Sequence, residues 1–367
     1  MTEVVKIDPS HLSDDAARSV IERAGAVLRH GGLVAFPTET VYGLGGNAFD
    51  AEASARIYAA KGRPSDNPLI VHIARMEDLD LVASQIPPAA QVLAEHFWPG
   101  PLTMILKKQP DVPAATTGGL DTVAVRFPSH PVAQALILAA GGFVAAPSAN
   151  VSGRPSPTKA SHCIEDLTGR VNMIIDGGEV GIGVESSIID LTGERPMILR
   201  PGYVTEEMLA GVLGEVRTDP AILADAAEPP EKDAQHAGLR PKAPGMRYRH
   251  YAPKGHMTMV EGEAAAVVRY INAEAEKQLA EGRRVAALVS EETAASYDPR
   301  IRLHIVGSRE DPASVARVLF DVLRQCDAEN MEEIWSERFG EGGLYRAINN
   351  RLEKACGHRI VRIQDED

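Results

Sequence analysis

The sequence has few cysteines, and their spacing argues against two kinds of site. Cys163, Cys326 and Cys356 are the three cysteines among 367 residues, and no two of them form a CxxC pair. Structural zinc sites and disulfide frameworks need cysteines in clusters or regular patterns, so we expect neither. Reduced thiols are typical of the cytoplasm, and we predict a cytoplasmic protein.

Long apolar runs are also missing. No run approaches the roughly 18 residues that a membrane-spanning helix needs, so no membrane partner is expected. The N-terminal segment MTEVVKIDPSHLSDD has neither a basic start nor an apolar core, which is not typical of a signal peptide.

The commonest nucleotide-binding and hydrolytic signatures are absent. The sequence contains no GxxxxGK[ST], HExxH or GxSxG motif and no kinase signature. Its formal net charge of -13 disfavours bulk nucleic-acid binding, because an acidic chain is repelled by phosphates. A small anionic ligand would need cations gathered locally, on a framework outside the commonest ones.

The length and one change in composition predict two domains. A chain of 367 residues exceeds the roughly 250–300 residues that one hydrophobic core serves. Prolines among Ala, Asp and Glu around residues 218–243 indicate a linker, whose continuation APGMRYRHYAPK is basic and aromatic. We predict a first domain over 1–213, a linker over 214–254 and a second domain over 255–367.

Short apolar runs predict the strands of the first domain, and some stretches between them predict helices. Ser13 is the predicted N-cap of the first helix, which Gly31 and Gly32 end. Further helices are predicted at Ala51–Ala60, Ala89–His96, Pro131–Ala140 and Lys159–Leu167. Strands are predicted at Leu33–Phe36, Leu69–Ile73, Leu102–Leu106, Val123–Val125, Phe143–Ala146, Met173–Ile175, Ile188–Leu191 and Met197–Leu199. Because some connections are too short for a crossover helix, we predict an α/β fold with a twisted mixed sheet and flanking helices.

The second domain has a more regular pattern. Predicted strands at Met257–Val260, Val285–Val289, Leu303–Val306 and Glu333–Glu337 alternate with predicted helices at Ala264–Leu279, Pro312–Gln325 and Leu344–Ala355. This alternation predicts a smaller Rossmann-like α/β domain. It has no GxGxxG, so no dinucleotide site is predicted there.

Two loops of the first domain carry chemistry-bearing residues. FPTETVYGLGG, over residues 36–46, offers hydroxyls, a carboxylate and glycines that let backbone approach a ligand, or it is simply a strand end and turn. KGRPSDNP, over residues 61–68, places Lys61 and Arg63 where they could flank a phosphate chain. Alternatively, both cations complement the end of the preceding helix.

Three further features lie at or near predicted strand ends. APSAN, over residues 146–150, is rich in polar donors at a position that ligands favour in α/β sheets. DGGEVGIGVESS, over residues 176–187, is either an anion-binding nest or a glycine-rich hairpin. Arg126 and Arg200 each end a strand, and His72 in LIVHIA is either a half-buried packing residue or a functional one.

Taken in order, these pieces resemble a known family. FPTETVYGLG, KGRPSDNPLIVH, WPGPLT, DTVAVRFP, APSAN, DGG, GVESS and LRPG together resemble the YrdC-like domain. The continuation through APGMRYRHYAPK into a small α/β domain resembles the two-domain threonylcarbamoyl-AMP synthases. The resemblance covers essentially the whole chain.

The resemblance implies a reaction and its partners. L-Threonine, bicarbonate and ATP would give L-threonylcarbamoyl-AMP, pyrophosphate and water. A threonylcarbamoyl-transferase machinery would then modify tRNA, and direct contact with tRNA is left open. Mg²⁺ is the implied cofactor, held by the nucleotide and water, with no protein metal site predicted.

The resemblance also assigns residues. The L-threonine pocket maps to Thr40, His72, Arg126 and Ser186. The ATP site maps to Lys61, Arg63, Asn67, Thr122, Ala146 through its main chain, Ser148, Ser156, Arg200 and Tyr248. We predict that Lys61 and Arg63 are catalytic through charge stabilisation, and that Tyr248 belongs to a lid over the nucleotide.

Three other interpretations compete with this one, and the simplest is a small-molecule-binding domain without catalysis. A YrdC-like domain could serve as a double-stranded RNA or tRNA-binding protein without adenylation activity, although the charge of -13 disfavours it. Carbamoyl transfer in hydrogenase maturation would need zinc-binding CxxC pairs, which three scattered cysteines do not supply.

Overall fold

The computed structural model describes residues 1–223 and 251–363, which fall into two compact units. The first unit comprises residues 1–152 and 156–223, and the second comprises Gly153–Pro155 and residues 251–363. Tyr248 and most of the predicted linker lie outside the described residues, so the predicted domain boundaries stay a prediction. Among the described helices, none is long and apolar enough to cross a membrane.

The first unit is built on one mixed sheet of twelve strands. Its strands are β1 (Glu3–Lys6), β2 (Val34–Phe36), β3 (Gly43–Asn47), β4 (Ile70–His72), β5 (Ala83–Ser84), β6 (Leu102–Lys108), β7 (Thr122–Arg126), β8 (Val144–Ala146), β9 (Met173–Asp176), β10 (Ser187–Asp190), β11 (Met197–Arg200) and β12 (Arg217–Thr218). Their spatial order is β1-β9-β2-β3-β8-β4-β7-β6-β10-β11-β12, with β5 paired to β6. Parallel and antiparallel pairs both occur, as predicted.

Helices cover both faces of this sheet. They are α1 (Asp15–Arg29), α2 (Ala51–Lys61), α3 (Leu79–Val82), α4 (Pro88–Phe97), α5 (Pro131–Ala139), α6 (Ala160–Leu167), α7 (Glu206–Leu213) and α8 (Pro220–Leu223). Side chains of α2, α4, α6 and α7 form one core with Ala35 and Ile174, whereas α1 and α5 form another with Val34 and Met173. Adjacent strand residues point to opposite faces, which is why neighbours such as Val34 and Ala35 belong to different cores.

One glycine sets the contact between α1 and α5. A Cβ built on Gly25 would lie 2.6 Å from the backbone of Ala139, so a side chain at this position would push the two helices apart. The Arg29 guanidinium donates to the Ala139 carbonyl beside this contact. The absence of a side chain at Gly25 therefore allows α1 to pack closely on α5.

The second unit has one parallel sheet of five strands. They are β13 (His256–Glu261), β14 (Val285–Val289), β15 (Arg302–Ile305), β16 (Glu333–Glu337) and β17 (Ile360–Arg362), in the order β15-β14-β16-β13-β17. The helices are α9 (Ala264–Ala280), α10 (Pro312–Ala328) and α11 (Gly343–Ala355). The predicted alternation of strands and helices is confirmed, and β17 completes it.

Some predicted bounds were wrong by a residue or more. The N-cap of α1 is Asp14 rather than Ser13, and the Asp14 side chain makes no capping hydrogen bond. β3, whose sequence is GLGGN, was not predicted because glycine has a low strand propensity. It forms because β2 and β8 pair with it on either side.

Candidate active site

A row of directly paired residues crosses the sheet of the first unit. His72 on β4 pairs with Arg126 on β7, which pairs with Thr103 on β6. Thr103 pairs with Ile188 on β10, and Ile188 pairs with Arg200 on β11. Directly paired residues share a face of a sheet, so the predicted site residues His72, Arg126 and Arg200 lie along one row.

Ser186 lies beside two residues of this row, Thr103 and Arg200. Its hydroxyl lies 2.8 Å from the hydroxyl of Thr103. Arg200 donates through Nε to the Ser186 carbonyl (3.0 Å) and through Nη2 to the Ser186 hydroxyl (3.1 Å). A residue predicted for threonine therefore touches a residue predicted for ATP, and the two predicted subsites adjoin here.

The loop after β2 is fastened to the glycine-rich loop before β10. Ile182 N–H donates to the Glu39 carbonyl (2.9 Å), and Gly183 N–H donates to the Thr40 carbonyl (3.1 Å). The Tyr42 hydroxyl donates to the Gly178 carbonyl at 2.6 Å. The stretch predicted as an anion nest or hairpin is thus a loop tied down by backbone bonds, which holds Thr40 in a buried position.

The middle of the row carries a buried charge pair. Arg126 and Glu39 are almost fully enclosed, with 2.8 Å between Arg126 Nη2 and Glu39 Oε1. Burial is the strongest single influence on the Glu39 carboxyl and opposes its ionisation. The Arg126 charge, together with polar contacts from Arg126 and from the backbone of Glu39 and Ser129, nevertheless holds the Glu39 pKa below its usual value.

His72 is neutral beside this pair. Its Nδ1 donates to the Ile70 carbonyl (3.0 Å), and its ring packs edge to face with Phe36. Burial first, and then the Arg126 charge, lower the pKa of His72 to about 3. The Nε2 atom of His72 therefore carries no proton at neutral pH and can accept a hydrogen bond from a ligand.

Lys61 and Arg63 lie at the end of α2, which stops at Gly62 because that residue takes a left-handed conformation (φ 61°). The ammonium of Lys61, buried to 1% exposure, donates to the carbonyls of Ser148 and Asn150. Arg63 donates to the carbonyls of Asn67 (3.4 Å) and Pro68 (3.2 Å). The Lys61 ammonium thus holds the APSAN loop rather than the carbonyls that end α2.

The remaining predicted ATP residues lie on strands and loops around this point. The Ser148 hydroxyl donates to Asn150 Oδ1 at 2.5 Å, and the Ser156 hydroxyl donates to Glu185 Oε1 at 2.5 Å. Asn67 is buried, and its Oδ1 has no hydrogen-bond partner in the part of the chain that the structure describes. Two residues are fixed by strand pairing, namely Ala146 on β8 against Ile70, and Thr122 on β7 against Lys107.

Sequence reasoning missed three polar residues of the site. Glu39 contacts Arg126, Thr103 contacts Ser186, and Glu185 accepts from Ser156. The sequence could have identified Thr103, because it is a polar residue in the apolar run LTMIL, just as His72 is in LIVHIA. Within residues 1–223 and 251–363, no group of three or more His, Cys, Asp or Glu side chains is placed to share a metal ion.

Two family models divide the chain between them. Residues 26–202 match the Sua5/YciO/YrdC model, described as telomere recombination. Residues 204–357 match the model described as the C-terminal domain of threonylcarbamoyl-AMP synthase. Together they span nearly the whole sequence and agree with the resemblance seen in its motifs.

Individual proteins match over similar lengths. The threonylcarbamoyl-AMP synthase of Pyrococcus abyssi is 47% identical over 343 residues, which cover 94% of this chain and 96% of that protein. The Bacillus subtilis enzyme of the same name is 44% identical, with 93% and 94% covered. A crystal structure of P. abyssi Sua5 complexed with L-threonine superposes with a TM-score of 0.89 at 45% identity, covering 99% of this chain and 100% of that one. The chain therefore belongs to the two-domain threonylcarbamoyl-AMP synthase family.

Proposed function

We propose that this enzyme converts L-threonine, bicarbonate and ATP into L-threonylcarbamoyl-AMP, pyrophosphate and water. Its relatives at 47% and 44% identity are named threonylcarbamoyl-AMP synthases, and a structure of P. abyssi Sua5 contains L-threonine. In the proposed sequence, the amine of threonine gains a carboxyl group, and an oxygen of the resulting carbamate attacks the α-phosphorus of ATP. Pyrophosphate is the leaving group.

The contact between Arg200 and Ser186 is the observation that carries this proposal. Adenylation requires the carbamate oxygen and the α-phosphorus to meet at one place. Arg200 donates to both the carbonyl and the hydroxyl of Ser186, so the proposed phosphate cation lies directly against the proposed threonine pocket. The guanidinium of Arg126, in the same row, suits a bidentate contact with the amino-acid carboxylate.

We propose that Arg63 and Lys61 act differently on the nucleotide. Arg63 is partly exposed, and its guanidinium donates hydrogen bonds to two carbonyls at 3.2 and 3.4 Å. These bonds leave the guanidinium able to turn toward phosphates. The buried ammonium of Lys61 shapes the APSAN loop that carries Ser148, and its positive charge lies behind that loop. Arg63 would then stabilise charge directly, while Lys61 would do so partly by positioning the loop.

We propose that Mg²⁺ enters with ATP. The oxygen-bearing side chains around the proposed nucleotide site are hydroxyls, an amide and the Glu185 carboxylate, and Mg²⁺ prefers oxygen ligands. An ion that keeps most of its waters and binds phosphate oxygens needs few protein ligands. Mg²⁺ would neutralise charge on the phosphates as pyrophosphate leaves.

The product implies a second enzyme. A threonylcarbamoyl adenylate is an activated acyl donor, so we propose that a separate transferase passes the group to tRNA. We place this exchange in the cytoplasm, where tRNA and ATP are both found.

The test is pyrophosphate release from ATP and Mg²⁺, with bicarbonate and L-threonine each supplied or omitted and L-serine as a control. Release that needs both threonine and bicarbonate is expected. Release independent of both, or none, would contradict the proposal and would favour the RNA-binding interpretation, which salt-dependent tRNA binding would then examine.

Variants at the two cations sharpen this test. We expect Arg63→Ala to slow pyrophosphate release at least about tenfold with little loss of stability, since a charge-assisted contact to phosphate is removed. Arg18→Ala, which removes an exposed cation on α1, is the matched control and should leave the rate unchanged. Wild-type rates in both Arg63→Ala and Lys61→Ala would contradict the role proposed for these cations.

A further inference from the structure

Glu39 is a buried carboxylate that the assignments above leave without a role in binding. Its side chain is 13% exposed, and its Oε1 lies 2.8 Å from Arg126 Nη2. The backbone on either side is fixed, because Glu39 and Thr40 each accept a hydrogen bond from the glycine-rich loop. The loop therefore holds the carboxylate against the guanidinium.

This charge pair has unused hydrogen-bonding capacity. Within residues 1–223 and 251–363, both carboxylate oxygens of Glu39 are buried without a hydrogen bond of good geometry, and the same holds for Nε and Nη2 of Arg126. Buried charged groups normally have their hydrogen bonds satisfied, because leaving them unmade costs free energy. A buried cation and a buried anion in contact, each with hydrogen-bonding capacity to spare, suit a ligand that carries both charges.

The neighbouring groups leave Glu39 as the negative charge of this cluster. His72 is neutral, with its pKa lowered to about 3 by burial and by Arg126. Burial also lowers the pKa of His130, although Glu39 acts in the opposite direction. The Nδ1 atom of His130 is buried and has no hydrogen-bond partner among the described residues. A ligand ammonium entering this cluster would meet the Glu39 carboxylate as its counter-ion.

We propose that Glu39 binds the α-ammonium of the amino acid whose carboxylate Arg126 holds. The two charges of an α-amino acid are attached to one carbon, so a protein that recognises both needs an anion and a cation side by side. Glu39 and Arg126 are in contact, which meets that requirement. This inference rests on the proposed function and adds to it a residue that selects the zwitterion.

The test compares two ligands that differ at one group. L-Threonine and (2S,3R)-2,3-dihydroxybutanoate share the carboxylate and the side-chain hydroxyl, but the second has a hydroxyl in place of the ammonium. Calorimetry on the full chain would give both Kd values for the wild type and for Glu39→Gln. We expect Glu39→Gln to raise the Kd of L-threonine at least about tenfold and that of the analogue less than about threefold, because only threonine loses a charge-assisted contact.

Two more variants complete the experiment. Glu39→Asp keeps the charge and should recover part of the preference for L-threonine. Glu179→Gln removes an exposed carboxylate from the glycine-rich loop and should change neither Kd. Because both ligands are measured on the same sample, a partly unfolded variant changes the binding stoichiometry and leaves the ratio of the two Kd values intact.

The outcomes separate this inference from the reaction itself. An equal rise in both Kd values in Glu39→Gln would mean that Glu39 only positions Arg126, and this result would overturn the inference. Unchanged Kd values for both ligands would overturn it as well. Threonine-dependent pyrophosphate release by the wild type would leave the proposed function standing in either case. A wild-type chain that does not bind L-threonine would overturn both proposals.

Discussion

At the scale of single residues, burial decides which charges the protein keeps. Lys61 and Arg126 are both buried cations, yet one donates to backbone carbonyls and the other faces a carboxylate. His72 is buried beside Arg126 and loses its charge instead, because desolvation and a like charge both oppose protonation. A histidine in this position stays neutral over the physiological pH range, and it can accept a hydrogen bond through Nε2.

The lowered pKa of His72 predicts a pH dependence of stability. The pKa in the folded state, about 3, lies below the ordinary value of about 6.5, so between these values the unfolded chain binds a proton that the native chain does not. The free energy of unfolding therefore falls as the pH falls through this window. We expect protonation of His72 in the unfolded chain to lower the free energy of unfolding of the wild type by about 2 kcal/mol between pH 7 and pH 5. The His72→Gln variant should lack this decrease.

Urea denaturation of both proteins at pH 7 and pH 5 measures this difference. The stability gap between wild type and His72→Gln should narrow by about 2 kcal/mol at the lower pH. His96→Gln, at an exposed histidine of α4, is the control and should follow the wild type at both pH values. A gap that stays constant would show that His72 titrates equally in both states.

The sequence predicted the polar residues of the site unevenly. His72 and Arg126 were identifiable because strand periodicity makes a charged or imidazole side chain in an apolar run conspicuous. Glu39 lies in a loop without periodicity, and its partner is 87 positions further along the chain. Which carboxylate meets which guanidinium depends on strand order, which no local pattern encodes.

At the scale of elements, glycine has opposite effects in two helices. Gly25 on α1 is buried against Ala139 of α5, whereas a Cβ on Gly211 of α7 would meet no atom of residues 1–223 and 251–363 within 4 Å. Alanine is the better helix former in both positions by about 1 kcal/mol. The surroundings of each glycine therefore decide whether its replacement by alanine stabilises or destabilises the protein.

We expect Gly25→Ala to lower the free energy of unfolding by about 1–2 kcal/mol, because crowding of helix backbones exceeds the gain in propensity. Gly211→Ala should raise it by about 0.5–1 kcal/mol, because the backbone is stiffened at no steric cost. Chemical denaturation of both variants shows whether each substitution raises or lowers the free energy of unfolding. Stabilisation by Gly25→Ala would mean that α1 and α5 separate readily.

Strands that consist of apolar runs were predicted well, and several short strands without such a run were missed. The strand at Val285–Val289 agrees to the residue, since it is a continuous apolar run. β1, β5 and β12 were not predicted, and each has four residues or fewer. Such strands exist because a neighbouring strand offers unpaired backbone groups, which is a property of the sheet and not of their own residues.

At the scale of the whole molecule, each unit has its own core and its own buried polar network. In the second unit, the fully buried Glu337 accepts from Arg309, from Thr293 and, at 2.9 Å, from the hydroxyl of Tyr297. Ser290 N–H also donates to it (3.3 Å). Burial and the Glu337 charge raise the pKa of Tyr297, which stays a donor at neutral pH.

Loss of this carboxylate should weaken the second unit selectively. We expect Glu337→Ala to lower the free energy of unfolding of the second unit by about 3–5 kcal/mol, because buried donors from three side chains lose their acceptor. Hydrogen exchange should quicken at amides of β14 and β16 and stay unchanged at those of β4 and β7. Glu310→Ala, at an exposed carboxylate of the same unit, should alter neither, and faster exchange in β4 would show that the two units do not open separately.

The row from His72 to Arg200 has a consequence for synthesis on the ribosome. Between Thr103 and Ile105, β6 has β7 on one side and β10 on the other, and β10 is made some 80 residues later. Until then the nascent chain carries an apolar strand with an open edge, the kind of surface that chaperones protect and that aggregates readily. Neither substrate can shield a partial chain during this interval, because the row that would bind them is completed only when Arg200 has left the exit tunnel.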